Sequence, residues 1–450
     1  MVVNRLVDRS ARRDTTVGRR RCADPSTFGE GRAGTSPPLQ QERRVPYRIV
    51  IVRTLYICYL SLDEPLVQSQ VLPYVREIAA GGIEVHLLTF EKELQTKSAD
   101  QLAAARESLT AQGIDWSYLP YHKRPSMPAT LYDVLRGALR IVRFARRHAI
   151  DVLHARAHIP MAMALIARRL TGCKTIFDLR GLVAEEYVDA GIWKKNSIPF
   201  KIIKWIERAG LSQSNQIVVL TNSMRDWLVH AEPTLANKIS VIPTCVDRSR
   251  FNVPADRSNR FELVYAGSVV GLYLLADMAR FFIELKKREP NAFFRILTQT
   301  PRATVAQVMQ CAGVSPDDFE VVAVSPAEIP DNMTRARLGV SFRKPTFSQI
   351  AASPTKIGEY LAAGIPVVSN SGTGDIDELM ESEHVGLTVS SFDDAMLAQA
   401  ADQALTLARN SEVEMQCRDT AAKHFDLIEI GGKRYLEVYR RLESGHPCPQ

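Results

Sequence analysis

The sequence predicts an α/β protein built on two parallel sheets, each covered by helices on both faces. Two observations carry this. Short apolar, β-branched runs alternate with amphipathic helical stretches, the pattern of a buried parallel sheet. The alternation halts at a polar stretch, Asp247–Arg260, and then starts again. A chain of 450 residues is long enough for two large domains.

In the first half, Tyr47–Tyr56 is the expected first strand, Leu60–Gln70 a loop, and Val71–Ala80 an amphipathic helix closed by Gly81-Gly82. Ile83–Phe90 is the second strand, and others fall at Asp151–His154, Lys174–Asp178 and Gln216–Leu220. Ile239–Asp247 reads as a strand and its exit. Phe261–Ala266 opens the second half, followed by Ala292–Leu297, Phe319–Val324, Leu338–Phe342, Ile365–Ser369 and Val385–Val389. Leu427–Leu442 is a final helix.

Hydrophobic residues make up 46% and charged residues 24%, ordinary globular values. No run of 18 apolar residues occurs, so no membrane-spanning helix is expected. The seven cysteines are scattered, odd in number and without a C-x-x-C pair. That argues against a disulfide framework or zinc site and for a reducing cytoplasm. Of the net charge of +7, residues 1–45 supply +5, from ten arginines against five acids. This tail has little apolar content and no apolar leader core, so it is expected to be disordered and not a secretory signal. It lacks interleaved aromatics, so no nucleic-acid partner is expected.

Ser353–Asp375, SPTKIGEYLAAGIPVVSNSGTGD, holds the densest local signals. Ser353 fits an N-cap, Pro354 N1, and Gly364 the left-handed C′ position. Thr355 and Lys356 then fall at N2 and N3. A lysine there opposes the helix dipole, at about 0.3–1 kcal/mol, where a capping box would place Glu or Gln. Open N–H groups plus a lysine make an anion site, most simply for phosphate; the alternative is that Lys356 turns its ammonium into water. Glu359 lies on the same side of the helix. Its carboxylate can accept from both hydroxyls of a ribose. Lysine for phosphate and glutamate for ribose together describe a nucleotide.

Glu359-x4-Gly364-x-Pro366-Val367-Val368 resembles the second half of the E-x7-E signature of family-4 retaining glycosyltransferases. The whole stretch resembles the pattern SPTKxxEYLAxGxPVV of bacterial polysaccharide glycosyltransferases. The likeness covers about residues 47–442, and Val241–Asp247 resembles the family's interdomain phrase VIPxxVD. It implies the GT-B fold: two Rossmann-like domains with parallel sheets facing across a cleft. The expected division is a disordered basic tail, 1–45; an N-terminal acceptor domain, 46–246, completed by a C-terminal helix, 427–442; and a nucleotide-sugar domain, 247–426. The implied reaction moves a sugar from a nucleotide-diphosphate donor to a saccharide or lipid-linked acceptor, in surface polysaccharide assembly. It is metal-independent and needs no cofactor, because the leaving phosphate accepts the acceptor's proton. One departure stands out. Counting back eight from Glu359 reaches Ala351, so the first glutamate is missing. The loop Lys344–Ser353, with Ser348, is the expected substitute.

By the same resemblance the donor lies over the carboxyl ends of the second sheet. Gly267 and Ser268 approach the diphosphate, Ser325 and Ala327 the base, and Arg343, Ser353, Thr355, Lys356 and Glu359 the rest of the nucleotide. Gly374 and Asp375 close the site. Asp178 and Arg180 join Lys356 as catalytic candidates, although Asp178 could equally do no more than pair with Arg180. Arg156 and the loop residues Gln68, Ser69 and Gln70 face the acceptor, and Glu185, Glu186 and Asp189 are further acceptor contacts. His154 and His158, with no nearby acid, make a poor metal site. Helix Leu131–His148 carries Arg136, Arg140, Arg143 and Arg147 at helical spacing. Either this face is solvated, or it rests on anionic lipid at the inner face of the plasma membrane. Two rival readings share the fold: an epimerase acting on UDP-GlcNAc, and a non-catalytic partner subunit, which the missing glutamate favours.

Overall fold

A computed structural model describes residues 52–444, apart from 123, 253–256 and 258–259. The basic tail and the expected strand start at Tyr47 lie outside the described residues.

Thirteen strands among the described residues form two all-parallel sheets. The first contains β1 (Arg53–Cys58), β2 (Glu84–Glu91), β3 (Ile114–Pro120), β4 (Val152–Arg156), β5 (Lys174–Asp178), β6 (Gln216–Val219) and β7 (Ile239–Val241), in the order β3-β2-β1-β4-β5-β6-β7. The second contains β8 (Phe261–Ala266), β9 (Ala292–Leu297), β10 (Phe319–Val322), β11 (Leu338–Ser341), β12 (Val367–Asn370) and β13 (Gly386–Val389), in the order β10-β9-β8-β11-β12-β13. Each order reverses once, between β1 and β4 and between β8 and β11. At such a reversal the crossover loops diverge and leave a crevice.

Central strands are buried on both faces, as their continuous apolar runs require; all of β4, β8 and β12 are interior. The missed strand, β3, explains itself. It is an edge strand, and exposed Asp115 breaks its apolar run between buried Ile114 and Trp116. The expected loop at Leu60–Gln70 is half wrong as well. Pro65–Gln70 winds into a short helix with Pro65 in its first turn and Val67 fully buried.

The chain passes between the sheets twice, at adjacent points. The Val246 N–H donates to the Phe425 carbonyl at 2.7 Å, and the Leu427 N–H to the Val246 carbonyl at 3.0 Å. The expected final helix begins late. Leu427–Gly432 is a π-helical turn, and the α-helix runs Lys433–Ser444. Gly431 and Gly432 make the turn's close approach to helix Leu72–Ala80 feasible, since a Cβ on Gly431 would lie 2.6 Å from the Tyr74 ring. Tyr435, Val438, Tyr439 and Leu442 then bury themselves in the core under the first sheet.

Candidate functional site

Helix Thr355–Ala362 starts at the carboxyl-end side of the second sheet's crevice. Its N-cap is Pro354, not Ser353, and no side chain caps it. The reason is a competing partner: the Ser353 hydroxyl accepts from the Thr244 N–H at 3.1 Å, and the Thr244 hydroxyl meets it at 2.9 Å. Thr355 is therefore N1 and Lys356 N2, with first-turn N–H groups left open. The other end is as expected. Gly364 has φ +67°, its N–H donates to the Leu361 carbonyl, and that of Ile365 to the Tyr360 carbonyl, a Schellman closure.

Lys356 does not turn into water. It is buried, its Nζ lies 3.9 Å from the Tyr273 ring centroid and 4.2 Å from that of Tyr265, and it donates to the Tyr265 hydroxyl at 3.1 Å. Burial, reinforced by Arg343, pulls its pKa down to about 8, against Tyr273 and Glu359. Gly267 has φ +124°, and a Cβ there would sit 3.2 Å from Nζ, so this glycine leaves room for the ammonium. Arg343 follows β11. Its N–H donates to Asn370 Oδ1 at 2.7 Å, its guanidinium lies 4.7 Å over the Tyr273 ring, and its Nε donates to Gln349. Burial pushes the Tyr273 phenol up, yet Lys356 and Arg343 outweigh it and hold the group below its ordinary value. Two cations thus share one corner at the β8–β11 reversal, linked by aromatic faces rather than carboxylates.

Glu359 is partly buried, and its carboxylate has no hydrogen-bond partner among the described residues. Burial raises its pKa, opposed by Arg250 and Lys356. Arg250 is a site residue that sequence reasoning missed. It sits in the polar stretch after the interdomain phrase, donates to the Pro326 carbonyl at 2.5 Å, and so ties that stretch to the Ser325 turn. The only sequence signal was a basic residue three places beyond Asp247. Glu328 shapes the turn by accepting from the Ser325 N–H at 2.8 Å and hydroxyl at 2.7 Å; Ser325 and Ala327 are exposed. Ser268 is exposed as well, with its carbonyl accepting from the Tyr265 hydroxyl.

From the first domain, Arg156 donates to Gln70 Oε1 at 3.4 Å, and Gln70 Nε2 donates to the Thr355 hydroxyl at 2.6 Å. A single hydrogen-bonded chain therefore crosses to the start of the Lys356 helix. Gln68 and Ser69 do not join it. The first is exposed and donates to the Leu62 carbonyl, and the second bonds back to Pro65 within its own helix.

Asp178 is 1% exposed and is sealed off from solvent. Its carboxylate accepts from the hydroxyls of Tyr435 at 3.1 Å and Tyr56 at 3.5 Å, and lies 3.5 Å from Arg180 and 3.8 Å from His154. Burial works against ionisation, but Arg180 and His154 prevail and hold its pKa at about 2. Arg180 is buried too, and among the described residues its three guanidinium nitrogens have no hydrogen-bond partner. Among the same residues Arg156 Nε is likewise unpartnered. In helix Val183–Asp189, Glu185 pairs with Lys204 at 2.8 Å, and Asp189 accepts from the Ser348 N–H at 3.3 Å. Burial raises Glu186 to about 6, with Arg343 opposing. His158 faces Glu207 at 3.2 Å, so it has the acidic neighbour that its sequence surroundings hid. Among the described residues no cluster of three His, Cys, Asp or Glu side chains could hold a metal.

Gly374 and Asp375 lock the domains together and do not line the cation corner. Asp375 accepts from the N–H groups of Asn222 at 2.7 Å and Ser223 at 2.9 Å, capping helix Asn222–Ala231 from the other domain. Gly374 packs so tightly that a Cβ would lie 2.2 Å from the Ala352 carbonyl oxygen. Ala351, where the first glutamate is missing, is fully buried in the first domain's core, within the turn Phe347–Ala351. Ser348 is fully buried beside it. A glutamate at 351 would bury its carboxylate among apolar side chains.

Residues 67–250 match a family model described as Glycosyltransferase Family 4. No curated protein matches the chain. Among solved structures it resembles a sucrose-phosphate synthase from Thermosynechococcus elongatus, with TM-score 0.67 and 13% identity over 88% of this chain and 100% of that one. It resembles Anabaena HepE in complex with UDP and glucose, with TM-score 0.61 and 12% identity over 86% and 99%. A putative UDP-N-acetylglucosamine 2-epimerase from Listeria monocytogenes is also similar, with TM-score 0.55 and 12% identity over 89% and 99%. The two sheets facing across a reversal-point crevice are thus the GT-B fold of these structures, and residues 67–250 carry the family-4 glycosyltransferase pattern within it.

Proposed function

We propose that the protein is a retaining glycosyltransferase that moves a sugar from a nucleotide-diphosphate donor to a saccharide or lipid-linked acceptor in surface polysaccharide assembly. The observation that carries this is the corner formed by Lys356 and Arg343. Among the described residues, two cations stand together without a carboxylate partner between them, beside an uncapped helix start and an unpartnered Glu359. A diphosphate is the ligand that answers both the charges and the open N–H groups. HepE is described with UDP and glucose, and we assign the same class of donor to this chain.

In this reading Lys356, Arg343 and the helix start stabilise the charge that develops on the leaving phosphate. Glu359 accepts from the ribose hydroxyls, and Arg250 fixes the turn beside the base. Arg156 stands at the acceptor side, bonded to Gln70, and Arg180 is the buried counter-charge of Asp178. Asp178 acts as a positioning residue: it holds Arg180 while staying clear of the reacting atoms. No metal is assigned a role.

The test is a thermal-shift screen of UDP-, GDP- and dTDP-sugars, followed by NMR of the product formed with candidate acceptors. One nucleotide sugar should raise the melting temperature and yield a glycoside of retained configuration. An epimerised donor would establish the epimerase reading instead, and donor binding without turnover across a broad acceptor panel would favour the non-catalytic one.

A further inference from the structure

The first domain carries an apolar groove that glycosyl transfer does not use. It is a cavity of about 1040 Å³ between helices Ser126–His148, His158–Thr171 and Ile198–Gln213. Its lining includes Tyr59 and Lys92, just past the carboxyl ends of β1 and β2, and Tyr187 on helix Val183–Asp189. That helix also carries Glu186, whose carboxyl Arg343 opposes in its upward shift, and Asp189, which accepts from the Ser348 N–H, so the groove and the candidate site share one helix.

Its two crests are as apolar as its walls. Leu131, Leu135 and Leu139 form one, and Ile198, Ile202 and Trp205 the other, with exposures from 43% to 68%. Soluble monomers rarely present so continuous an apolar surface to water. Basic rows border both crests. Arg136 and Arg140 each follow a crest leucine by one residue, about 100° around the helix, and Arg143 extends the row; Lys194, Lys195 and Lys201 border the second crest, and all six are exposed. Among the described residues none of the six has a carboxylate partner. The Arg row is the one noted in the sequence; the second crest and its lysines were not, because they become its neighbours only in the fold.

The shape selects the occupant. A single acyl chain lying in the groove would cover the walls and leave the crests in water. A second copy of this chain would bring like charges together. A bilayer surface covers walls and crests at once, and anionic headgroups match both basic rows. No helix among the described residues is long and apolar enough to cross a membrane, so the contact is a surface one. We propose that this face docks on an anionic phospholipid bilayer, with the leucine and Ile198–Trp205 crests sunk to the headgroup–acyl boundary and the cleft mouth at the membrane surface.

The test is co-sedimentation of the full chain with vesicles of phosphatidylglycerol and phosphatidylcholine in equal parts, against pure phosphatidylcholine. No nucleotide sugar is present, so the result does not depend on glycosyl transfer. Binding to the anionic vesicles should be roughly tenfold tighter or more, and about 0.5 M salt should weaken it. The double variant Leu135→Ser, Trp205→Ser should lose roughly tenfold in vesicle affinity. The triple variant Arg136→Glu, Arg140→Glu, Arg143→Glu should lose the preference for anionic lipid. Both should keep the wild-type melting temperature and donor binding. The proposal is overturned if wild type does not pellet with anionic vesicles, or if both variants pellet as wild type does. It is equally overturned if wild type takes up a free fatty acid without binding vesicles. A dimer in sedimentation velocity that Leu135→Ser, Trp205→Ser dissociates, with no change in vesicle binding, would also overturn it and assign the face to a second copy.

Discussion

If a diphosphate seats against Lys356, donor binding must be linked to a proton. The free lysine has a pKa of about 8, because burial disfavours its ammonium. A diphosphate beside it would restore the ordinary lysine range. Only the protonated form then binds well, so the dissociation constant should stay flat up to about pH 7 and rise about tenfold by about pH 9. Calorimetry in two buffers of different ionisation enthalpy should find about three-quarters of a proton taken up at about pH 8.5, and about a tenth at about pH 7. Lys356→Ala should weaken binding more than about tenfold at neutral pH, as loss of a charge-assisted contact worth about 1.5–3 kcal/mol. It should also abolish the proton uptake. Tyr273→Phe should retain the uptake, because it leaves the ammonium in place. A dissociation constant independent of pH over this range, with no proton uptake, would refute the assignment of Lys356 to the phosphate.

Other expectations test the remaining parts. Glu359→Gln should weaken donor binding roughly tenfold by calorimetry, with a smaller loss for the nucleotide lacking its ribose 2′-hydroxyl. Transfer activity should survive EDTA; a loss restored specifically by Mg²⁺ or Mn²⁺ would contradict this. Asp178→Asn leaves the Arg180 guanidinium buried without its counter-charge and should lower stability by about 3–5 kcal/mol in urea denaturation. Because the folded pKa of Asp178, about 2, lies below its ordinary 3.8, its stabilisation is present above the ordinary value and lost as pH falls through about 2. The acid limb of the stability curve should therefore flatten in the variant. Asp375→Ala removes the cross-domain cap and should cost about 1–2 kcal/mol, read as a lower melting temperature.

What was legible in the sequence depended on how local the cause was. Strands buried on both faces announce themselves as apolar runs, so the alternation and its restart at Phe261 were readable. β3 was not, because one exposed aspartate hides an edge strand. The C′ role of Gly364 follows from its place after the apolar helix, and the structure has it. The N-cap role of Ser353 failed because a residue 109 positions away, Thr244, captured its hydroxyl. The same holds for Asp375, whose partners Asn222 and Ser223 belong to the other domain. Lys356 was flagged correctly as an anomaly at a helix start. Whether it faced water or a pocket was decided by Tyr265 and Tyr273, which no spacing rule connects to it. Arg250 and the second apolar crest were invisible for that reason too: their neighbours are assembled by the fold.

The paired crossings at Val246 and Asp426 have a mechanical consequence. Two strands of chain bonded side by side behave like two pins of a door. They resist sliding of one sheet past the other and resist twisting about the line between the domains. Swinging about the pins is the movement that these two bonds oppose least. The contacts such a swing would break join Gln70 to Thr355 and Asp375 to Asn222 and Ser223. Each is a small set of hydrogen bonds that water can replace, but opening also draws Ala351 out of the first domain's core.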